Sequence, residues 1–432
     1  MSAFDRSSRF EHELPDILTA IAVPRVPDYY DDLLAQAAAT RQRSRWTFLE
    51  RWPGMDAIAY RVPVPSLPLR PLIVAALLVA LVAAALLIAG SQHRIPPPFG
   101  PARNGALLFG DGDIYLRDGI DGTSTLILGG LTDDFAAGFT RDGEHLTFLR
   151  RVSGTPGSSA ERLQIFVAKA DGSDPVAVTE PLVAPDWADY APDDSFAVVA
   201  AGTPWAGQHL FIADFRNPGT LRSLNVGDRS MTMSTPNFLG PTGAELVFRG
   251  RTVTGDGVRF GLFAVKPDGS GLRPLTPTDG TDRNMSYSFP QPSPDGRYIA
   301  YTAFDPKFNG LRVHLVDVRT GEDRTLTDVG RSEGWAVFSP DSTKIAFLNQ
   351  IADRQQVFVA SVDGTGRLPM GPAYRVVNNE SLSSMFSPDG TLVVVTDSAS
   401  KETRIVDAAT GGDGTVLPWS AADLSGWQRL AP

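Results

Sequence analysis

The apolar positions of the chain fall into three regimes: helically spaced up to Arg70, unbroken from Pro71 to Gly90, and short runs between Gly, Pro and Asp beyond Gly105. In "LPDILTAIA" (Leu14–Ala22), Leu14, Ile17, Leu18 and Ile21 share one helical face. In "PDYYDDLLAQAAATRQRSRW", Asp28 stands as N-cap before Asp31 and Asp32, and Arg41, Arg43 and Arg45 close the stretch. Acid first and base last suits a helix dipole, and Tyr30, Leu33, Leu34 and Ala37 share a face. Residues 1–70 are therefore expected to form a small α-helical segment. The run "PLIVAALLVALVAAALLIAG" (Pro71–Gly90) carries no charge and matches the length of helix that crosses a hydrocarbon core of about 30 Å. It lacks the polar stripe of a surface helix, and a long polar stretch precedes it where a signal peptide would have a short basic leader. It predicts one transmembrane helix.

The third regime is strand-like. Runs such as "HLTFLRR", "FAVVAAG", "ELVFRGR", "YIAYTAF", "KIAFLNQ" and "LVVVTDS" have strand length, are bounded by turn residues and show no helical spacing. Each follows a turn at Asp142, Asp193, Thr242, Asp295, Asp341 or Asp389, at intervals of 51, 49, 53, 46 and 48 residues. An aromatic residue stands just before most of these turns: Phe139, Tyr190, Phe238, Phe338 and Phe386, with Pro292 the exception. A third and a short fourth strand complete each period, and a fifty-residue repeat of four antiparallel strands is a propeller blade. Pro-Asp-Gly is the chemistry of the corner between first and second strands: Pro presets φ, Asp bonds the backbone two residues on, and Gly accepts positive φ. Regularly spaced aspartates are thus explained by turns before any catalytic role is needed.

Six periods run from about Asp134 to Ser420. Gly105–Gly130 supplies the second, third and fourth strands of a further blade, and "DLSGWQRL" (Asp423–Leu430) supplies a first strand, with Trp427 at the aromatic position. Borrowing that strand from the other terminus closes a ring and removes exposed sheet edges. The expected fold is all-β, a seven-bladed β-propeller of four-stranded blades, preceded by one transmembrane helix and the helical segment. The expected boundaries are 1–70, 71–90, a linker over 91–103, and the propeller over 104–432.

"FSPDSTKIAF" (Phe338–Phe347), "PSPDGRYIAY" (Pro292–Tyr301) and "AVKPDGSGLRPLT" (Ala264–Thr276) resemble the WD-like repeats of TolB-type β-propellers. The resemblance covers roughly residues 104–430; "APDDSFAVVAAG" in blade three and Thr242 in blade four depart from the pattern but keep their places in the period. It implies a module that binds proteins in the cell envelope. Similar propellers cap some serine peptidases, so the blades by themselves assign no chemistry.

Charge fixes the expected orientation. Arg41, Arg43, Arg45, Arg51, Arg61 and Arg70 crowd one side of the apolar run, and only Arg94 and Arg103 lie close on the other. The N-terminus is accordingly expected in the cytoplasm and the propeller outside, in a single-pass protein of a bacterial cell membrane. Residues 1–70 hold nine basic and nine acidic side chains, so the whole net charge of −10 belongs to the outer part and argues against nucleic acid as its partner.

Chemistry is sparse. The zero cysteine count removes disulfides, thiolate metal sites and a cysteine nucleophile. No nucleophile elbow, phosphate loop, zinc-protease helix or calcium loop occurs, and His12, His93, His145, His209 and His314 are scattered. The chain is expected to be no enzyme and to need no cofactor. One constellation stands out: Asp134, Asp186, Glu333, Glu380 and Asp423 lie just upstream of the innermost strands. Such acids could ring one rim of the channel and hold a cation or a basic peptide; solvated loops on an acidic protein would look the same. In the cytoplasmic part Ile17, Leu18, Leu33 and Leu34 offer apolar surface that so short a segment hides only in part, which points to a protein partner or to lipid. Short inner helices, one span and an outer domain resemble the layout of zinc-free bacterial membrane anti-sigma factors, which implies a sigma factor as inner partner. Two classes stay open: a transmembrane regulator with the propeller as sensor, and an anchored scaffold that binds envelope proteins or glycans.

Overall fold

The computed structural model describes residues 78–79 and 95–432, apart from 184, 186, 203–207, 228–230, 255–256, 277–288, 306–308, 327–331, 377–381 and 422–423. The helical segment 1–70, with Ile17, Leu18, Leu33 and Leu34, lies outside the described residues, as does the apolar run save Leu78 and Val79, which are helical and exposed. Among the described residues no helix is long and apolar enough to cross a membrane.

Residues 95–432 form seven antiparallel sheets. Blade two comprises β5 (Asp134–Phe139), β6 (His145–Ser153), β7 (Arg162–Lys169) and β8 (Val176–Ala177). Blade three comprises β9 (Trp187–Tyr190), β10 (Phe196–Ala201), β11 (His209–Asp214) and β12 (Leu221–Ser223), and blade four β13 (Thr232–Leu239), β14 (Glu245–Thr254), β15 (Gly257–Val265) and β16 (Arg273–Pro274). Blade five has β17 (Gln291–Pro292), β18 (Tyr298–Asp305), β19 (Gly310–Asp317) and β20 (Asp323–Thr325). Blade six has β21 (Ser332–Phe338), β22 (Lys344–Ile351), β23 (Arg354–Ser361) and β24 (Leu368–Arg375). Blade seven has β25 (Leu382–Phe386), β26 (Leu392–Asp397), β27 (Thr403–Asp407) and β28 (Thr415–Val416).

Blade one is assembled from both ends. Its β1 (Arg103–Phe109) pairs antiparallel with β29 (Leu424–Leu430), from Arg103 opposite Leu430 to Phe109 opposite Leu424, and continues through β3 (Ile114–Arg117) to β4 (Ser124–Leu128). Trp427 is buried and its Nε1 donates to Gly105 O at 3.1 Å. The ring closure expected from the sequence is therefore present. One strand was not foreseen: β2 (Asp111–Gly112) adds itself to the inner edge of β5, so the sheet of blade two has five strands.

The second strands carry long apolar runs where both of their faces are buried. In β18, Ile299, Tyr301 and Ala303 pack toward blade four, while Ala300 packs toward blade six. In β10, Val198 and Ala200 face blade four, and Ala197 and Val199 face blade two. Period-two alternation thus feeds two neighbouring cores. Each blade interface has its own cluster, and the one between blades seven and one is built on Leu107, Val394, Ala421 and Trp427.

The corner phrase works as its chemistry predicts, with one addition. Asp295, Asp341 and Asp389 each accept from the backbone two residues on, at 3.0, 3.1 and 3.0 Å. The addition is the serine: Ser293, Ser339 and Ser387 are buried, and each hydroxyl donates to the aspartate while accepting from the N–H that begins strand two. Gly296 (φ 74°) sits with its Cα so close to Gly240 that a Cβ would lie 2.7 Å from it, which restricts the position to glycine.

Candidate functional site

Of the five acids expected at the channel rim, Asp134 and Glu333 are described, and Asp186, Glu380 and Asp423 lie outside the described residues. Both described carboxylates are buried, and an arginine approaches each. Asp134 takes Arg150 in a fork, with Nε to Oδ1 and Nη2 to Oδ2 both at 2.7 Å. The Arg150 guanidinium lies over the Phe166 ring at 4.6 Å, and its hydrogen bond to Asp134 holds its pKa above the ordinary value. Glu333 accepts from Asn349 Nδ2 at 3.4 Å and lies 3.7 Å from Arg367, whose guanidinium sits over Phe358 at 4.3 Å. These two charges are answered within their own blades. Among the described residues no group of three or more His, Cys, Asp or Glu is placed to hold a metal ion. His314 is buried, stacks on Tyr301 and faces Asp323 through Nδ1 at 3.1 Å, a packed position inside blade five.

The inner strands of alternate blades carry a bulge. The ladders of β5, β13 and β21 slip between Phe135 and Gly138, Ser234 and Asn237, and Gly334 and Val337. At the same place in each slip stands a non-glycine residue with positive φ: Ala136 (50°), Thr235 (50°) and Trp335 (53°). A bulge turns a side chain out of the ladder's alternation. In blade four that side chain is buried Thr235; in blade six it is Trp335, 58% exposed. The indole stacks on Phe289 with ring centroids 5.2 Å apart and planes at 20°.

Trp335 lines a cavity of about 610 Å³ between blades five, six and seven, whose apolar lining includes Leu311, Leu348, Leu382 and Met385. Gln291, Thr302, Ser332, Gln350, Gln355, Ser383 and Ser384 supply its neutral polar groups, and among the described residues Glu333 is the one ionisable side chain in its lining. Its lining draws on the starts of inner strands β21 and β25. Sequence reading missed it, because in "SEGWAVF" the positive φ falls on Trp335 and not on the glycine beside it.

The chain's own entry segment sits against residues of inner strands β9, β13 and β17. Arg429 Nη2 donates to Pro97 O at 2.9 Å and Gly100 O at 2.8 Å, and Arg141 stacks over the Phe99 ring at 4.2 Å. Pro98, Phe99 and Gly100 share a small hollow with Asp189, Asn237, Phe238 and Gln291, which come from three inner strands. Burial lowers the Arg429 pKa to about 10. It also lifts the Asp194 carboxyl, which accepts from the Arg141 and Asp142 N–H groups, to about 6. A second cavity of about 590 Å³ lies nearby, lined by Arg141, Asp189, Tyr190, Trp427 and Arg429.

The comparisons with known proteins place the fold alone. An oligogalacturonate lyase from Vibrio parahaemolyticus aligns over 74% of this chain and 87% of its own, at 13% identity and TM-score 0.52. The β-propeller domain of the Trilobed protease from Pyrococcus furiosus aligns over 74% and 98%, at 10% identity and TM-score 0.50. TolB from Acinetobacter baumannii aligns over 67% and 68%, at 16% identity and TM-score 0.42. No family model matches the chain, and no curated protein is similar enough to match. The class defined is thus a seven-bladed β-propeller, a fold that serves binding as readily as catalysis.

Proposed function

We propose that the propeller is a non-enzymatic binding domain, held outside a bacterial cell membrane by the span 71–90 and acting as a sensor for a regulatory segment in the cytoplasm. The cavity at Trp335 is the observation that carries the binding role: a preformed apolar hollow with a few neutral polar groups is the usual form of a ligand seat. The tether and its direction rest on the uncharged run and on the arginines that crowd its N-terminal side. The cytoplasmic output rests on the apolar positions Ile17, Leu18, Leu33 and Leu34, for which a sigma factor is the proposed cover.

A reporter fused after Pro432 should be active only outside the cytoplasm, and one fused before Met1 only inside. Cytoplasmic activity of the C-terminal fusion removes the anchored-sensor reading. Correct topology without any output from the cytoplasmic segment leaves an anchored scaffold.

A further inference from the structure

Resting on that binding role, we propose that the Trp335 cavity takes an uncharged small molecule built on a planar ring.

The ring platform is the first reason. The bulge itself belongs to the fold, since blades two, four and six share it. What blade six adds is the largest of side chains at a positive φ, a conformation that costs a non-glycine residue about 1–3 kcal/mol. Core packing does not repay that cost, because the indole is more than half exposed. Stacking on Phe289 holds one indole face and fixes the ring's orientation, so the other face is a rigid platform for a second ring.

The uncharged character is the second. Glu333, the one ionisable residue in the lining among the described residues, is buried against Arg367 and Asn349. An ion entering this hollow would lose its hydration without meeting an unanswered opposite charge among these described side chains. Size and wall settle the rest. A volume of about 610 Å³ lies within the range of sites for drug-sized ligands, and Leu311, Leu348, Leu382 and Met385 give an apolar wall that a flat apolar body covers well. The Gln350 and Gln355 amides suit a single carbonyl or hydroxyl at the ligand's edge.

The test uses the full-length chain in lipid nanodiscs and saturation-transfer difference NMR with four probes: 1-naphthamide (flat and neutral), 1-naphthalenesulfonate (flat and anionic), cellobiose, and an uncharged Leu-Phe-Leu peptide capped at both ends. Trp335→Ala in the same nanodiscs subtracts uptake by lipid. The expected result is 1-naphthamide affinity at least tenfold weaker in Trp335→Ala, largely restored in Trp335→Phe, and equally lost in Ser383→Trp, which fills the cavity from blade seven. The anionic analogue should bind at least tenfold more weakly than the amide to the unaltered chain. If cellobiose or the peptide shows the Trp335-dependent signal and 1-naphthamide does not, the ligand class is wrong while the binding seat stands. If no probe separates the variants from the unaltered chain, both the class and the seat are refuted.

Discussion

Replacing Trp427 by Ala tests whether the C-terminal strand holds the ring shut. Trp427 is 7% exposed, packs with Leu107, Val394 and Ala421 between blades one and seven, and donates to Gly105 O. Truncating a buried tryptophan costs about 3–5 kcal/mol, and the carbonyl left without its donor adds about 1 kcal/mol. Unfolding entropy of roughly 2.1 cal/mol/K per residue gives a domain of about 330 residues an entropy of about 0.7 kcal/mol/K. A loss of about 5 kcal/mol should therefore lower Tm by about 7 °C. Differential scanning calorimetry of residues 91–432 reads the shift, with Trp335→Ala as control. That control should move Tm by less than about 2 °C, since an exposed side chain contributes little to packing. Deleting 424–432 strips β1 of its partner and should cost more than Trp427→Ala does. A Trp427→Ala domain that melts within a degree or two of the unaltered one would refute the closure argument.

Asp134→Ala should destabilise the domain by about 3 kcal/mol, because it strands the Arg150 guanidinium against Phe148 and Phe166; urea denaturation measures it. Asp194 titrates near pH 6 in the folded chain and near 4 when unfolded, so the folded state binds its proton more tightly. Its contribution to stability therefore grows as pH falls from about 6 to 4 and is lost as pH rises through 6. Asp194→Asn should remove that component, seen as a difference in the slope of Tm against pH over this window, and parallel slopes would count against it. Leu33→Asp with Leu34→Asp in the full-length chain should release the cytoplasmic partner in co-purification while membrane insertion is unchanged; recovery of the same proteins by both chains would remove the regulatory reading.

Much of the ring was legible in the chain because each blade repeats two independent signals. Strand two, as in Tyr298–Asp305, is apolar on both faces, and the corner before it carries its own turn chemistry. The terminal halves of blade one were legible for the same reason: Gly105–Gly130 lacked a first strand, and Trp427 marked one without a blade. What escaped depends on contacts distant in sequence. Asp134 lies at the start of an inner strand, as expected, but whether it faces the channel or its own blade is decided by Arg150, sixteen residues on, with Phe148 and Phe166 beneath that guanidinium. In blade six the answering arginine, Arg367, comes instead from just before β24, so no fixed spacing announces the pair. The bulges gave no warning either, since Ala136, Thr235 and Trp335 occupy a conformation for which glycine is the usual sign. The capture of Pro97 and Gly100 by Arg429 joins opposite ends of the domain, beyond any local pattern.

The chain has no cysteine, so a single introduced thiol reports its own location without background. Ser383→Cys places one in the wall of the Trp335 cavity, and Ser8→Cys places one in the segment assigned to the cytoplasm. Intact cells carrying each variant are treated with a membrane-impermeant maleimide. Ser383→Cys should be labelled within minutes and Ser8→Cys only after permeabilisation. Labelling of Ser8→Cys in intact cells, with Ser383→Cys protected until the membrane is breached, would contradict an outward-facing ligand seat on a membrane-anchored propeller.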